Sequence, residues 1–238
     1  MLMSSKRMKR VRASVLALSL CACSTRAAEV SAPPPMPSAA PAKAPAVVVQ
    51  GPKVAFLGDS IAAGLHLPSD QAFPAVLQRT LAARGKPFEL LNAGVSGDTT
   101  AGGLRRVAWI LKQKPALVVV ELGANDGMRG QPVADIEQNL RAIIERIRAS
   151  GAAVLLLGMR IPPSYGQSYV EAFAAIYPRI AKDLKVDWVP FFMQSVATDP
   201  KMNLPDGIHP TQQGHERLAD TVAGPLEQAL AALPPDKP

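Results

Sequence analysis

Ser60 stands in Gly58-Asp59-Ser60 at the end of an apolar run, and the chain has three histidines, His66, His209 and His215. A serine hydroxyl is a weak nucleophile near neutral pH. It becomes useful when a base takes its proton and when fixed donors hold the oxyanion it creates on an acyl carbon. His209 is the strongest candidate base, because it sits in Asp206-Gly207-Ile208-His209-Pro210, a turn-forming segment with a carboxylate three residues before the imidazole. At that separation Asp206 could accept a hydrogen bond from His209 Nδ1–H, fix the tautomer and leave Nε2 to take the Ser60 proton. Two further segments offer donors. Gly94, in Asn92-Ala-Gly-Val-Ser-Gly97, has no side chain to keep a carbonyl oxygen from its N–H, and Asn125, in Gly123-Ala-Asn-Asp126, carries a side-chain NH₂.

For these residues to meet, the fold must bring the ends of several apolar runs to one place. Val54–Leu57, Phe88–Leu91, Ala116–Leu122 and Ala153–Leu157 read as strands, with Val186–Val189 a weaker fifth. Between them lie stretches with helical spacing: Phe73, Val76, Leu77 and Leu81, then Ile136, Leu140, Ile143, Ile144 and Ile147. Arg84-Gly85 and Ser150-Gly151 stand where such helices should stop. Apolar strands alternating with helices imply an α/β fold with a buried parallel sheet and helices on both faces. Ligands in such sheets bind beyond the carboxyl ends of the strands, where Ser60, Gly94 and Asn125 all lie.

Taken together, the segments resemble the four motif blocks of the SGNH (GDSL-type) hydrolases, in the branch of arylesterases and multifunctional acyl-CoA thioesterase I/lysophospholipases. They occur in that family's order: Gly58-Asp-Ser-Ile, Asn92-Ala-Gly-Val-Ser-Gly-Asp-Thr-Thr, Gly123-Ala-Asn-Asp, and Asp206 with His209. The similarity spans about residues 53 to 232. It implies a three-layer α/β/α flavodoxin-like fold with a parallel five-stranded sheet, and a triad of Ser60, Asp206 and His209. It further implies an oxyanion hole of the Ser60 N–H, the Gly94 N–H and the Asn125 side chain, and no metal or cofactor. The segments 127–132 and 159–166 resemble loops that line the acyl cleft, so Met128, Ile161, Pro162 and Tyr165 are expected as an apolar substrate wall, with core packing the alternative for Met128 and Ile161. Ala62, Ala63 and His66 depart from the Ser or Thr and Gly common in relatives, which bears on acyl-chain preference.

Each of these residues also has a plainer reading. Gly58-Asp-Ser alone could be a strand-ending turn, and Asn125 an Asx-turn residue among other turn formers. Gly94 could be needed for a positive φ. Asp206, His209 and His215 could hold a metal but lack a compact third ligand; His215 fits better on a C-terminal helix, as a structural or solvent-facing residue. His66 is expected to pack its loop or, failing that, to edge the substrate cleft. Asp59 is expected to brace the Ser60 loop through backbone N–H groups, and Asp126 has no assigned part in proton transfer.

The 238 residues are 48% hydrophobic and carry a formal charge of +7. Nucleic-acid binding is not what that charge indicates, because Lys6, Arg7, Lys9, Arg10 and Arg12 supply five of the positives and their loss leaves +2. They precede the apolar run Ala13–Leu20, too short to span a bilayer and suited to a signal peptide over residues 1–22. The two cysteines, Cys21 and Cys23, end that signal in Leu20-Cys-Ala-Cys23, which resembles a lipobox with Cys23 lipidated; ordinary cleavage near Ala27 or Ala28 is the alternative. Residues 23–52 read as an Ala/Pro-rich linker, 53–232 as the hydrolase domain and 233–238 as a tail. The expectation is an exported bacterial serine esterase, periplasmic or membrane-anchored, of undetermined oligomeric state. Its substrates would be aryl esters, short to medium acyl esters or lysophospholipids, and thioesters in principle. The alternatives are a carbohydrate acetyl esterase of the same fold and a non-catalytic acyl-binding lipoprotein.

Overall fold

A computed structural model describes residues 51–234. The expected signal, Cys23 and most of the 23–52 linker, together with the tail from 235, lie outside the described residues. Within them five strands form one sheet: β1 Lys53–Gly58, β2 Glu89–Gly94, β3 Leu117–Glu121, β4 Ala153–Leu157 and β5 Asp187–Val189. All pairings are parallel and the order is β2-β1-β3-β4-β5. β1 and β3 lie side by side in the interior, where both faces must be covered and almost every side chain is buried. The edge strands β2 and β5 keep Glu89, Asn92 and Asp187 exposed, as a half-solvated position permits.

Eight α-helices are found among the described residues: α1 Ser60–Ala63, α2 Phe73–Ala83, α3 Thr100–Leu111, α4 Ala124–Met128, α5 Val133–Ala149, α6 Gln167–Ala174, α7 Ile176–Leu184 and α8 Gln212–Ala231. In α5 the expected stripe Ile136, Leu140, Ile143, Ile144 and Ile147 is wholly buried. Its polar side carries Glu137, which pairs with Arg141 one turn on and with Arg179 of α7. α3, α5 and α7 pack as one layer and α2 against α8 as the other, which completes the α/β/α sandwich. No helix among the described residues is long and apolar enough to cross a membrane.

The strand order matters for the site. From β1 the chain goes to β2 on one side and, one crossover later, to β3 on the other. The loops that follow β1 and β3 therefore part at the carboxyl edge of the sheet and leave a crevice between them. Ser60 and Asn125 are the residues at its two lips.

Candidate active site

Ser60 is the first residue of α1, a single helical turn closed by Gly64 at φ 69°. Asp59 caps that turn, its Oδ1 accepting the Ile61 N–H at 3.0 Å. One carbonyl at the end of β1 and one at the end of β2 are tied down by Arg106 of α3, which donates through Nη2 to Gly58 O at 2.8 Å and through Nη1 to Ala93 O. Asp98 holds the same guanidinium at Nε, 2.6 Å away, so the ends of β1 and β2 are fixed relative to each other.

His209 reaches Ser60 from the loop before α8, with Nε2 3.0 Å from Oγ. Its Nδ1 lies 2.7 Å from Asp206 Oδ2. Asp206 Oδ1 accepts the N–H groups of Ile208, at 2.9 Å, and His209, at 3.0 Å. The His209 and Ile208 N–H groups, with the imidazole behind them, hold the Asp206 carboxyl well below the usual carboxylate range. An ionised Asp206 can only accept, so Nδ1 carries the hydrogen and Nε2 is left to accept from the serine. The loop is itself fastened: Asn203, buried, donates to the Val196 and Asp199 carbonyls and bridges to Pro210, and the Leu204 N–H donates to His209 O at 2.7 Å.

The expected oxyanion donors divide. The Ser60 N–H donates to no acceptor among the described residues. Asn125, in the first turn of α4, uses one amide hydrogen on Asp59 Oδ2, at 3.1 Å, and has the other free. Gly94, in contrast, is not an available donor. Its N–H is taken by Asn92 Oδ1 at 3.0 Å, while Asn92 Nδ2 is bonded to Ala62 O at 2.7 Å. A Cβ on Gly94 would lie 2.3 Å from the Ala63 N, so this glycine is required by the close approach of β2 to α1. Three residues on, Gly97 has φ 76°, donates to no acceptor among the described residues and is held by Arg129 Nη2, 3.0 Å from its carbonyl oxygen. Because Arg129 ends the helix that carries Asn125, it joins the Gly97 loop to the Asn125 loop.

Around these groups the remaining expectations separate further. Pro162 and Tyr165 are exposed beyond β4. Ile161 is not a wall residue: it packs into the core against Gly127 beside Phe173, and Met128 is half-buried on the same core. Val95 and Ile208, each about half exposed, adjoin the Gly94 and His209 positions and are the apolar side chains that pattern reading missed, because isolated residues in loops have no period. His66 is exposed at φ 70°, with its ring edge-on to His209, centroids 6.1 Å apart.

His215 is on α8 but is not solvent-facing. It is buried and stacked on Phe73, with Nδ1 accepting the Phe73 N–H at 3.1 Å; burial pushes its pKa down to about 4, so it stays a neutral acceptor. Asp126 braces the next layer out, accepting the Thr100 N–H and hydroxyl at 2.9 and 2.6 Å.

The chain as a whole has known relatives. The profile of the GDSL-like lipase/acylhydrolase family matches residues 56–217. Esterase TesA of Pseudomonas aeruginosa is 46% identical over 175 residues, 73% of this chain and 87% of that protein. The thioesterase 1/protease 1/lysophospholipase L1 of Escherichia coli K12 is 42% identical over 173 residues, 72% of this chain and 82% of that protein. The crystal structure of TesA superposes with a TM-score of 0.72 at 45% identity, covering 75% of this chain and 99% of that one.

Proposed function

The chain belongs to the GDSL-like lipase/acylhydrolase family and is an ester hydrolase, and we propose that it works through Ser60, His209 and Asp206 by way of an acyl-enzyme. The observation that supports this most directly is the pair of contacts on one imidazole, Nε2 to Ser60 Oγ at 3.0 Å and Nδ1 to Asp206 at 2.7 Å. Ser60 Oγ attacks the acyl carbon as His209 Nε2 takes its proton, and the imidazolium that results is stabilised by the Asp206 carboxylate. The proton then goes to the leaving alkoxide or aryloxide. Water repeats the sequence with His209 as base, releasing the acid and restoring the Ser60 hydroxyl. The oxyanion is held by the N–H groups of Ser60 and Gly97 and the free amide hydrogen of Asn125, with Gly97 taking the place expected of Gly94.

For the acyl group, Val95 and Ile208, next in sequence to Gly94 and His209, offer exposed apolar surface, and Pro162 and Tyr165 beyond β4 offer more. Such surface gains with each methylene it covers, about 0.8 kcal/mol when burial is complete. We therefore expect kcat/KM on p-nitrophenyl esters to rise from acetate through butyrate to hexanoate. Acetate release from acetylated xylan should be the slower reaction. A profile that peaks at acetate, with acetylated sugar the better substrate, would overturn the acyl-ester reading in favour of a carbohydrate esterase.

The basic and apolar N-terminus supports export, with the 23–52 segment as tether, and we place the enzyme in the bacterial periplasm. There acyl esters and lysophospholipids are the accessible substrates, acyl-CoA being cytoplasmic. Intact-mass analysis of protein recovered from the envelope should show a chain beginning at Cys23 with covalent acyl groups. A soluble product beginning after Ala27 or Ala28 disposes of the lipid anchor.

A further inference from the structure

Glu121 ends β3 as a fully buried carboxyl after an unbroken apolar run, and the triad has no use for it. A carboxyl in such a place is costly unless its neighbours compensate for it. Parallel pairing sets Glu121 opposite Gly58, directly beneath the turn that carries the nucleophile. A Cβ on Gly58 would fall 2.4 Å from Glu121 Oε2, which is a physical reason for glycine at the head of the Gly58-Asp-Ser motif.

From that position Oε2 accepts the N–H groups of Asp59, at 3.0 Å, and Ala62, at 3.2 Å. Asp59 Oδ1 accepts the Ile61 N–H. Of the four consecutive N–H groups from Asp59 to Ala62, carboxyl oxygens thus occupy three and leave open that of Ser60. The first turn of a helix always presents unpaired donors. Here all but the one next to the reacting oxygen are satisfied from within. The other Asp59 oxygen accepts from Asn125 Nδ2 at 3.1 Å, so the same pair of carboxyls that sets the Ser60 turn also sets the rotation of the Asn125 amide.

We propose that Glu121 and Asp59 act together as positioning residues of the oxyanion hole, Glu121 fixing the Ser60 turn from beneath and Asp59 fixing the Asn125 amide. The proposal rests on the reading of Asn125 as an oxyanion donor. Glu121 serves as the neutral acid. Its Oε1 is sealed from solvent and accepts no hydrogen bond, so an anionic oxygen there would be uncompensated. Burial, and then the charge on Asp59, push the Glu121 pKa well up. Burial raises Asp59 as well, but the Ile61 N–H, the Glu121 side chain, His209 and the Asn125 amide all favour its ionised form. Two carboxyls within hydrogen-bonding reach do not both ionise readily, so the charge resides on Asp59, where it anchors the Asn125 amide.

Steady-state kinetics on p-nitrophenyl butyrate, with a thermal melt for each variant, test this. Asp59→Asn sets an amide NH₂ against either the Asn125 NH₂ or the Ile61 N–H and should lower kcat about tenfold to hundredfold, with KM changed less than about twofold. In an Asn125→Ala background the same substitution should cost less than about threefold more, because the group it positions is gone. Glu121→Ala should lower kcat at least about tenfold. Glu121→Gln, whose amide oxygen accepts the same two N–H groups, should recover most of that loss. Full multiplication of the Asp59→Asn and Asn125→Ala losses, or wild-type kcat in Asp59→Asn, overturns the positioning role. Glu121→Gln as damaging as Glu121→Ala overturns the neutral acid. Were Ser60→Ala to remain active, the triad would fall instead; an impaired Asn125→Ala beside an unimpaired Asp59→Asn sinks this inference alone.

Discussion

Ser60→Ala should lower kcat by about 10⁵- to 10⁶-fold and leave the fold intact. The size follows from what the hydroxyl does: without Oγ there is no acyl-enzyme, and His209 has no proton to take from the first attacking atom. What remains is direct hydrolysis aided by the oxyanion donors and by binding, which in enzymes of this kind amounts to about 10³–10⁴ over water. Stability should change little, because Ser60 Oγ bonds only to His209 Nε2 among the described residues and His209 keeps its bond to Asp206. A fluorophosphonate should attach to the wild-type protein and not to the variant, with the added mass on the peptide that contains Ser60. Turnover of any ester by purified Ser60→Ala above about a thousandth of the wild-type rate would dispose of the nucleophile assignment.

His209→Ala should come close to the same loss, since base and nucleophile act as a unit and removing either removes the step. Asp206→Ala should cost less. Its carboxyl is partly exposed, with 40% of its side-chain surface accessible, so water can replace some of what it offers the imidazolium.

Hydrophobic pattern located the interior of this fold well, because β1 and β3 lie where both faces are covered and an unbroken apolar run has no other place to go. The expected run 153–157 coincides with β4, and the stripe from Ile136 to Ile147 is the buried face of α5. At the edge, β2 begins one residue after the expected Phe88 and runs through Asn92 to Gly94, since pairing with β1 continues past the point where hydrophobicity stops. α3 carried no clear stripe. Its inward face uses Gly102 and Gly103 beside Val107 and Ile110, and a Cβ on Gly103 would sit 2.3 Å from Leu122 Cδ1, so close packing replaced the apolar side chains that periodicity detects.

In the site, Ser60, His209, Asp206 and Asn125 were legible because their side chains are the groups a nucleophile, a base, its orienting acid and an oxyanion donor require, and their segments occur in one order along the chain. Gly94 and Gly97 could not be told apart in that way. Both are glycines in one loop, and which N–H is free depends on where the Asn92 side chain turns. The nearest signal in the sequence is that Gly97 directly precedes Asp98-Thr99, the cap of α3, where a left-handed residue is at home. Glu121 was hidden for a different reason: one acid at the end of a valine run says nothing about depth until the register sets it against Gly58.

Asn125→Ala should lower kcat by about 10²- to 10³-fold with KM nearly unchanged, the signature of a donor that acts on the transition state more than on the bound ester. In the proposed hole a ground-state carbonyl oxygen carries only partial charge and has the Ser60 and Gly97 N–H groups to satisfy it. When Ser60 attacks, full negative charge develops on that oxygen, and the loss of a third, prepositioned donor is then felt most. The structure also limits what else the substitution can do. Asn125 is only half-buried, and its recorded side-chain bond is the one to Asp59, whose freed oxygen keeps the neighbouring Glu121 carboxyl within reach. The melting temperature should therefore fall far less than the rate. Asn125→Asp provides the contrasting case: it keeps the shape but sets a carboxylate beside Asp59 and beside the developing oxyanion, so it should be at least as slow as the alanine variant. A wild-type kcat in Asn125→Ala would remove this residue from the hole and leave the Ser60 and Gly97 N–H groups to hold the oxyanion.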